Sequence, residues 1–474
     1  MGGLFGVVSK KNCRNDLFYG TDYHSHLGTK RGGMAVYNGN GVFARDIHNI
    51  ENSYFRIKFE EDLPKYIGNS GIGVISDTDA QPILLNSHLG RYAVATVGKI
   101  ANIEALEKEM LSRGKAFTEL SSGKTNPTEM ISRLISESAT FEEGIVNVQN
   151  SVKGSCSFLI LTENGIIASR DRYGRTPLIL AEKVTEEGKD YAIASETCSL
   201  LNLGYEQCYI LGPGEAVHIT SEGYKTCVPA RKEMQICSFM WVYYGYPASS
   251  YENINVDQVR YHLGYSLGCQ DKADIDVAAS IPDSGTCMAI GFAQGKGIPF
   301  RNAIVKYTPT WPRSFTPQDQ SVRKLIAKMK LIPNISLLRE KKIVFCDDSI
   351  VRGTQLKDNV NHLYEYGAKD IHIRISCPPL LHPCPFLNFS SSKGPLELIA
   401  RRFIESKEGA HDRNLDRYAT PGTPEYNSLV EHIREELKVA TLEFNTVEHI
   451  VEAIGLPKCS ICTHCFDGSS YGHE

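Results

Sequence analysis

Residues 342–376 constrain the fold of this chain most tightly. Lys342-Ile-Val-Phe-Cys346 is an apolar run of strand length. A helix-period stretch follows, with Leu356, Val360 and Leu363 on one face and Gly367 as its stop. Ile371-His-Ile-Arg-Ile-Ser376 then reads as a second strand. Strand, crossover helix and strand make a parallel pair, because a tight turn can join only antiparallel neighbours. A parallel sheet carries helices on its faces, so the C-terminal half is expected to be an α/β domain. Ile275-Asp-Val-Ala-Ala-Ser280, leading into Ile-Pro-Asp-Ser-Gly285, supplies a further strand. Residues 390–430 are polar and rich in Ser, Gly, Arg and Asp, and read as irregular surface. A last helix or two and a cysteine-rich tail, Cys459 to Gly468, follow.

The first 230 residues have a different rhythm. Leu4–Val8, Tyr92–Thr96, Ser157–Leu161 and Gly165–Ser169 are short apolar runs between turn signals. Asn102–Arg113 and Pro127–Ser136 read as amphipathic helices. Many strands with a few helices point to an α+β sandwich. With 474 residues the chain exceeds one ordinary domain, and the expected division is 1–230 and 231–474. Lys plus Arg number 51 and Asp plus Glu 55, a net charge of −4, which argues against a nucleic-acid partner. The sequence has no apolar run of ~18 residues and no signal-peptide pattern at its start, so no membrane partner and a cytoplasmic location are expected. In a reducing compartment the 14 cysteines are packed thiols, catalytic thiols or metal ligands. Cys156, Cys198 and Cys377, in strand-like runs, read as packed thiols. Trp241 with Tyr243 and Tyr244 reads as a core edge, and His372 as a satisfied strand residue.

The stretch most informative about chemistry is Ile343 to Thr354. An apolar strand ends in Asp347-Asp348, then a short loop of Ser349, Ile350, Val351, Arg352, Gly353 and Thr354 opens a helix. Backbone N–H groups of such a loop, with the helix N-terminus, make an anion site. Two carboxylates beside an anion cradle would repel the anion unless they face another part of the ligand. A ribose bearing a 5′-phosphate satisfies both halves, the acids taking hydroxyls or a metal ion.

This stretch resembles the phosphoribosyl-pyrophosphate (PRPP) signature of type I phosphoribosyltransferases, and the whole chain resembles the glutamine PRPP amidotransferase family. Asp347–Thr354 reproduces the signature, with Gln355 in place of the usual Thr. Pro282-Asp-Ser-Gly285 resembles the pyrophosphate loop, through Asp283, Ser284 and Gly285. Arg170–Leu178, Ala194–Cys198 and Pro213-Gly-Glu215 resemble landmarks of the N-terminal domain. Lys306 and Arg313 resemble the basic residues around a flexible loop, and Met329-Lys-Leu331 the helix whose Lys, here Lys330, reaches the pyrophosphate. The resemblance implies an αββα sandwich of N-terminal-nucleophile-hydrolase type followed by a type I phosphoribosyltransferase domain. It implies that ammonia displaces pyrophosphate from PRPP in purine synthesis. It also implies Mg²⁺ held by Ser284, Asp347 and Asp348, and charge stabilisation by Lys330 and Arg313. Purine-nucleotide feedback inhibitors and a dimeric or tetrameric homo-oligomer are implied as well.

The family's N-terminal domain hydrolyses glutamine with an N-terminal Cys just before a Gly-Ile-Phe-Gly stretch. Here the stretch is Gly3-Leu-Phe-Gly6, so the nucleophile position is Gly2, which has no side chain to form a thioester. The glutamine-binding Arg falls at Ser76, the oxyanion-hole Asn-Gly at Val97-Gly98, and the Asp that grips the substrate amine at Pro127. The family's His-Arg-Gly-Gln becomes His26-Leu-Gly-Thr29. Cys13 is not followed by the apolar strand a pro-segment cleavage would expose. The expectation is an intact transferase beside a degenerate glutaminase.

Cys462-Thr-His-Cys465 is a C-x-x-C that by itself reads equally as zinc, cluster or redox pair. Some members of the resembled family hold a [4Fe–4S] cluster, and their four ligand positions match Cys237, Cys384, Cys462 and Cys465, all Cys here. Cys459 and His464 have no counterpart in that pattern. Two other functions stay open on these residues: a transferase using a different amine, and a regulatory PRPP-binding pseudoenzyme that partners a complete amidotransferase.

Overall fold

A computed structural model describes residues 2–121, 123–307, 330–387 and 394–471. Two antiparallel sheets face each other in the N-terminal half. Gly2–Val8 lies inside a seven-stranded sheet, between Gly188–Ala194 and Ser70–Ser76. Gly90–Ile100 and Gly154–Thr162 pair at the heart of a six-stranded sheet. Both are buried on two faces, which is why they are apolar almost continuously rather than in alternation. Leu4 and Val8 meet Ala93, Leu159 and Ile166 between the sheets. Phe5 and Val7 point the other way, onto Leu17 and Phe18 of the helix Arg14–Asp22. On the far side, Val94 and Phe158 pack on Met130 and Ile131 of Pro127–Ile135 and on Val148 of Phe141–Ser151. The layers are therefore αββα.

The expected helices form at Ile103–Ser112 and Pro127–Ile135. Asn126 caps the second, accepting from Thr128 N and Glu129 N, with Pro127 at the first helical position. Asn102 makes no such cap; its side chain instead ties Ser151 O and Lys153 N. Cys156 and Cys377 are buried as expected, whereas Cys198 lies in a short 3₁₀ turn and donates to Glu196. Trp241 is fully buried, with its indole N–H on Ile254 O. His372 is buried, within hydrogen-bond distance of Thr441 Oγ1.

The second half carries a four-stranded parallel sheet in the order Val277–Ser280, Lys342–Asp347, Asp370–Ile375, Thr441–Phe444. Ile343 and Phe345 face one layer of the core, and Val344 and Cys346 the other, where Met288 and Phe292 of Thr286–Lys296 pack. The crossover helix is Thr354–Glu365, with Leu356, Val360 and Leu363 buried.

One expectation fails here. The described part of the polar stretch, 394–430, is largely helical, with Ile399–Glu408, Leu415–Ala419 and the start of Pro424–Leu437. Its apolar residues are few but share one face: Ile399, Ala400, Phe403 and Ile404 are all buried. Average composition hid a pattern that periodicity carries. The tail then returns to the start of the half, where Ile461–Cys462 pairs in parallel with Ile236–Cys237. Among the described residues, no helix is long and apolar enough to cross a membrane.

Candidate active site

Lys342–Asp347 is an inner strand of the parallel sheet, so its C-terminal end, with Asp348, opens into the crevice where such sheets take ligands. Asp348 N donates to Asp347 Oδ1 at 2.9 Å, and Ser349 Oγ to Asp348 Oδ1 at 2.5 Å. Burial holds both carboxyls above the usual range. At Asp347 the charge of Asp348 adds to it; at Asp348 hydrogen bonds to Ser284 and Ser349 and the charge of Arg260 oppose it. Two acids in this state favour a divalent cation or a pair of hydroxyls, either of which would relieve the crowded negative charge. Ser284, Asp347 and Asp348 form a hard-oxygen donor set suited to Mg²⁺.

The loop 282–285 lies against the end of this strand. Ile281 N donates to Cys346 O at 2.9 Å. A Cβ on Gly285 would stand 2.1 Å from that same carbonyl, so only glycine allows the approach. The Pro282–Asp283 peptide is cis. Asp283 forms an ion pair with Lys306. Lys306 pairs in register with Leu331, and Tyr307 N donates to Lys330 O at 2.8 Å, so Lys306 and Lys330 stand together where the chain enters and leaves 308–329. Arg313 lies outside the described residues.

The loop 349–353 is clamped from a direction the sequence did not suggest. Ile350 is buried, and Val351 O accepts from Ile399 N at 2.9 Å. Gly353, at φ +78°, directly precedes the helix at Thr354, and a Cβ there would stand 2.8 Å from Ile399 Cδ1. Arg352 pairs with Glu397, and Arg402 Nη2 donates to Arg352 O at 2.8 Å. Glu397 and Arg402 both lie within the stretch read as irregular, so nothing marked them. Buried Arg260, which donates to Trp241 O and Gly245 O at 2.7 and 2.9 Å, was also missed. An arginine within a helix carries no signal of a carboxylate far away in sequence.

In the N-terminal sandwich, Gly2, Ser76, Val97, Gly98 and Pro127 line a single pocket, together with Thr78, Asp79 and Thr96, and with Ile100 and Cys156 at its wall. Gly2 is the register partner of Ser76, and Gly98 of Cys156. Burial pushes the Cys156 thiol far up, aided by the charges of Asp171 and Asp79, so it is no thiolate nucleophile. Cys13 packs with Leu17 and Phe18 instead of lining this pocket, and burial pushes it to about 12. His26 Nε2 lies 2.8 Å from Glu196, and Thr29 N and Oγ1 bond Asp77 at 2.7 and 3.2 Å.

The cysteines at 237, 384, 462 and 465 gather from three segments. Cys237 faces Cys462 in the two-stranded pairing. Cys465 hydrogen-bonds the Cys384 thiol, which also accepts from Leu387 N at 3.4 Å. The Cys465 bond brings Cys384 down to about 7 against its burial, helped by backbone N–H groups and Lys99. Lys99 Nζ donates to Cys384 O at 3.2 Å. Phe239 and Phe466 stack at 5.5 Å beside the group, and Arg175 stands over Phe386. Cys237, Cys462 and Cys465 are buried and Cys384 half-buried, and thiols are the donor type that suits a soft iron–sulfur cluster. Among the described residues, no three His, Cys, Asp or Glu side chains are arranged as a ready metal cage. Cys459 is exposed, and His464 contacts Gly468 O within its own turn.

Comparison with known proteins gives a consistent result. A glutamine amidotransferase domain family matches residues 70–202. The amidophosphoribosyltransferase of Bacillus subtilis is 30% identical over 98% of this chain and 93% of its own length. That of Methanocaldococcus jannaschii is 28% identical over 99% and 97%. Among solved structures, the glutamine PRPP amidotransferase of B. subtilis complexed with ADP and GMP superposes with a TM-score of 0.84 at 29% identity, covering 99% of this chain and 97% of that one. A structure described as the allosteric regulatory enzyme of purine biosynthesis gives 0.83 at 28%.

Proposed function

This chain belongs to the amidophosphoribosyltransferase family, and within it we propose a PRPP-dependent transferase of purine biosynthesis that uses ammonia and has no working glutaminase. The observation that carries the reading is the convergence at one strand end of an acid pair, a helix-opening glycine loop and the 282–285 loop. The division of labour is an amidotransferase-like unit at 1–230 and a transferase unit at 231–474.

Backbone N–H groups of Ser349 to Thr354 and the helix N-terminus bind the 5′-phosphate. Asp347 and Asp348 accept the ribose hydroxyls, which orients the anomeric carbon. Asp283, Ser284 and Gly285 form the wall against the pyrophosphate. Lys306 exchanges its partner Asp283 for the pyrophosphate, and Lys330 and Arg313 add positive charge as the leaving group departs. Ser284, Asp347 and Asp348 would hold Mg²⁺, which neutralises pyrophosphate charge when bound. Cys237, Cys384, Cys462 and Cys465 would hold a [4Fe–4S] cluster, whose chemistry here is cross-linking three distant segments. Purine nucleotides, of the kind bound to the B. subtilis structure, are the expected feedback ligands. A homo-oligomer is the expected assembly.

The degenerate glutaminase rests on Gly2, Ser76, Val97 and Pro127 lining one pocket while none supplies a thiol nucleophile or a carboxylate-binding cation, and Val97 has no side-chain donor for an oxyanion. The test is pyrophosphate release from PRPP and Mg²⁺ by anaerobically purified protein. Turnover with ammonium and none with glutamine is expected. Turnover with glutamine would overturn the dead-glutaminase reading, and silence with both would overturn the transferase reading.

A further inference from the structure

Two cations stand beside the cysteine group, and neither has a carboxylate to balance it. Arg175 is 1% exposed. Its Nη2 donates to Ser470 Oγ at 3.0 Å and to Tyr471 O, and its Nη1 to Gly154 O at 3.4 Å. The guanidinium lies 3.6 Å from the ring centre of Phe386 and 4.8 Å from that of Tyr173. Its Nε is buried with no hydrogen-bond partner among the described residues. All of these neighbours are neutral. Ser470 Oγ in turn stands 3.9 Å from Cys462 Sγ, and Arg175 O accepts from Cys237 N at 3.1 Å. On another side, Lys99 is half-buried and its Nζ donates to Cys384 O at 3.2 Å. Among the described residues no Asp or Glu side chain lies within ion-pair distance of either cation. A buried guanidinium without an anion is costly, and four protonated thiols offer it no negative charge. A [4Fe–4S] cluster on four thiolates carries a net double negative charge, one for each cation. Both cations come from the first 230 residues and all four cysteines from the rest.

We infer that Arg175 and Lys99 are the counter-charges of an iron–sulfur cluster at Cys237, Cys384, Cys462 and Cys465, Arg175 acting beside Cys462 through Ser470 and Lys99 beside Cys384. The inference rests on the cluster reading above. Reduction adds an electron to a centre that is already negative, so each cation favours the reduced form and holds the reduction potential up. The experiment takes full-length holoprotein, purified anaerobically, and measures its iron content, its reduction potential by film voltammetry and its rate of iron release to bipyridyl. Arg175→Met is expected to lower the potential and to release iron about tenfold faster. Lys99→Met is expected to lower the potential as well. Its site is half-buried, so it carries the test should Arg175→Met fail to fold. Arg175→Lys keeps the charge but loses the flat contact with Phe386, and is expected to return the potential to that of the wild type. A purely structural role for Arg175 would leave the lysine variant no better than the methionine one. Potentials of Arg175→Met and Lys99→Met equal to the wild type, or Arg175→Lys as low as Arg175→Met, would overturn the inference and leave the cluster standing. Wild-type protein without iron, or with zinc in its place, would overturn the cluster reading and this inference together.

Discussion

Gly2 shows how completely a single position can change. A Cβ there would stand 2.4 Å from Ile75 O and 3.3 Å from Val97 Cγ2, so the backbone has closed over the space a nucleophile needs. Gly2→Cys is therefore expected to release no glutamate from glutamine and to cost about 1–3 kcal/mol of stability by overpacking, read by urea denaturation. Asp347→Asn and Asp348→Asn should each lower pyrophosphate release at least about a hundredfold, since each removes a charge aimed at the ligand, with the circular dichroism spectrum retained. Acid sensitivity follows from two buried groups. Burial drives His24 down to about 4, below its ordinary 6.5, so the unfolded chain takes the proton first and stability falls as pH drops from 6.5 towards 4. At Glu196 burial is outweighed by the charge and hydrogen bond of His26 and by Tyr251, bringing it to about 2. That contribution is present above 4.5 and is lost as pH falls towards 2. Urea midpoints should decline from pH 6.5 downward, and His24→Gln should flatten the upper part of the decline.

At the scale of elements, the loop 349–353 depends on the helix Ile399–Glu408. Gly353→Ala meets both a left-handed φ of +78° and the Ile399 side chain, with an expected cost of about 1–3 kcal/mol and a raised PRPP KM. Arg352→Ala breaks the Glu397 pair and should raise the PRPP KM with little change in stability, because the pair is partly exposed. The βαβ unit was legible because strand and helix periods differ and each run is long enough to show its own. The helix at 399–408 was not, since a polar stretch dilutes four apolar residues that only periodicity arranges on one face. Glu397 and Arg402 were illegible for the same reason, whereas the loop they hold through Arg352 was not.

Across the whole molecule, the tail closes the chain on itself. The pairing of Ile461–Cys462 with Ile236–Cys237 and the bond from Lys99 to Cys384 bring segments 99, 237, 384 and 462 together. Arg175 extends the join, donating to Ser470 Oγ at 3.0 Å. Anaerobically purified protein is expected to carry about four iron atoms per chain with visible absorbance that air bleaches. Cys384→Ser should abolish that absorbance and speed proteolysis of the tail, whereas Cys459→Ser should change neither.

The sequence by itself determined the parallel sheet, the sandwich, the acid pair with its glycine loop, and the residue types standing at the glutaminase positions. These are local: each is set by a period, a turn residue or the presence of a side chain at one position. Tertiary structure decided that Gly2, Ser76, Val97 and Pro127 face one space, that Cys237 stands beside Cys462, and that Cys465 bonds Cys384. Such meetings depend on register and on chain return over hundreds of residues, and burial rather than local pattern selects which side chains share a wall.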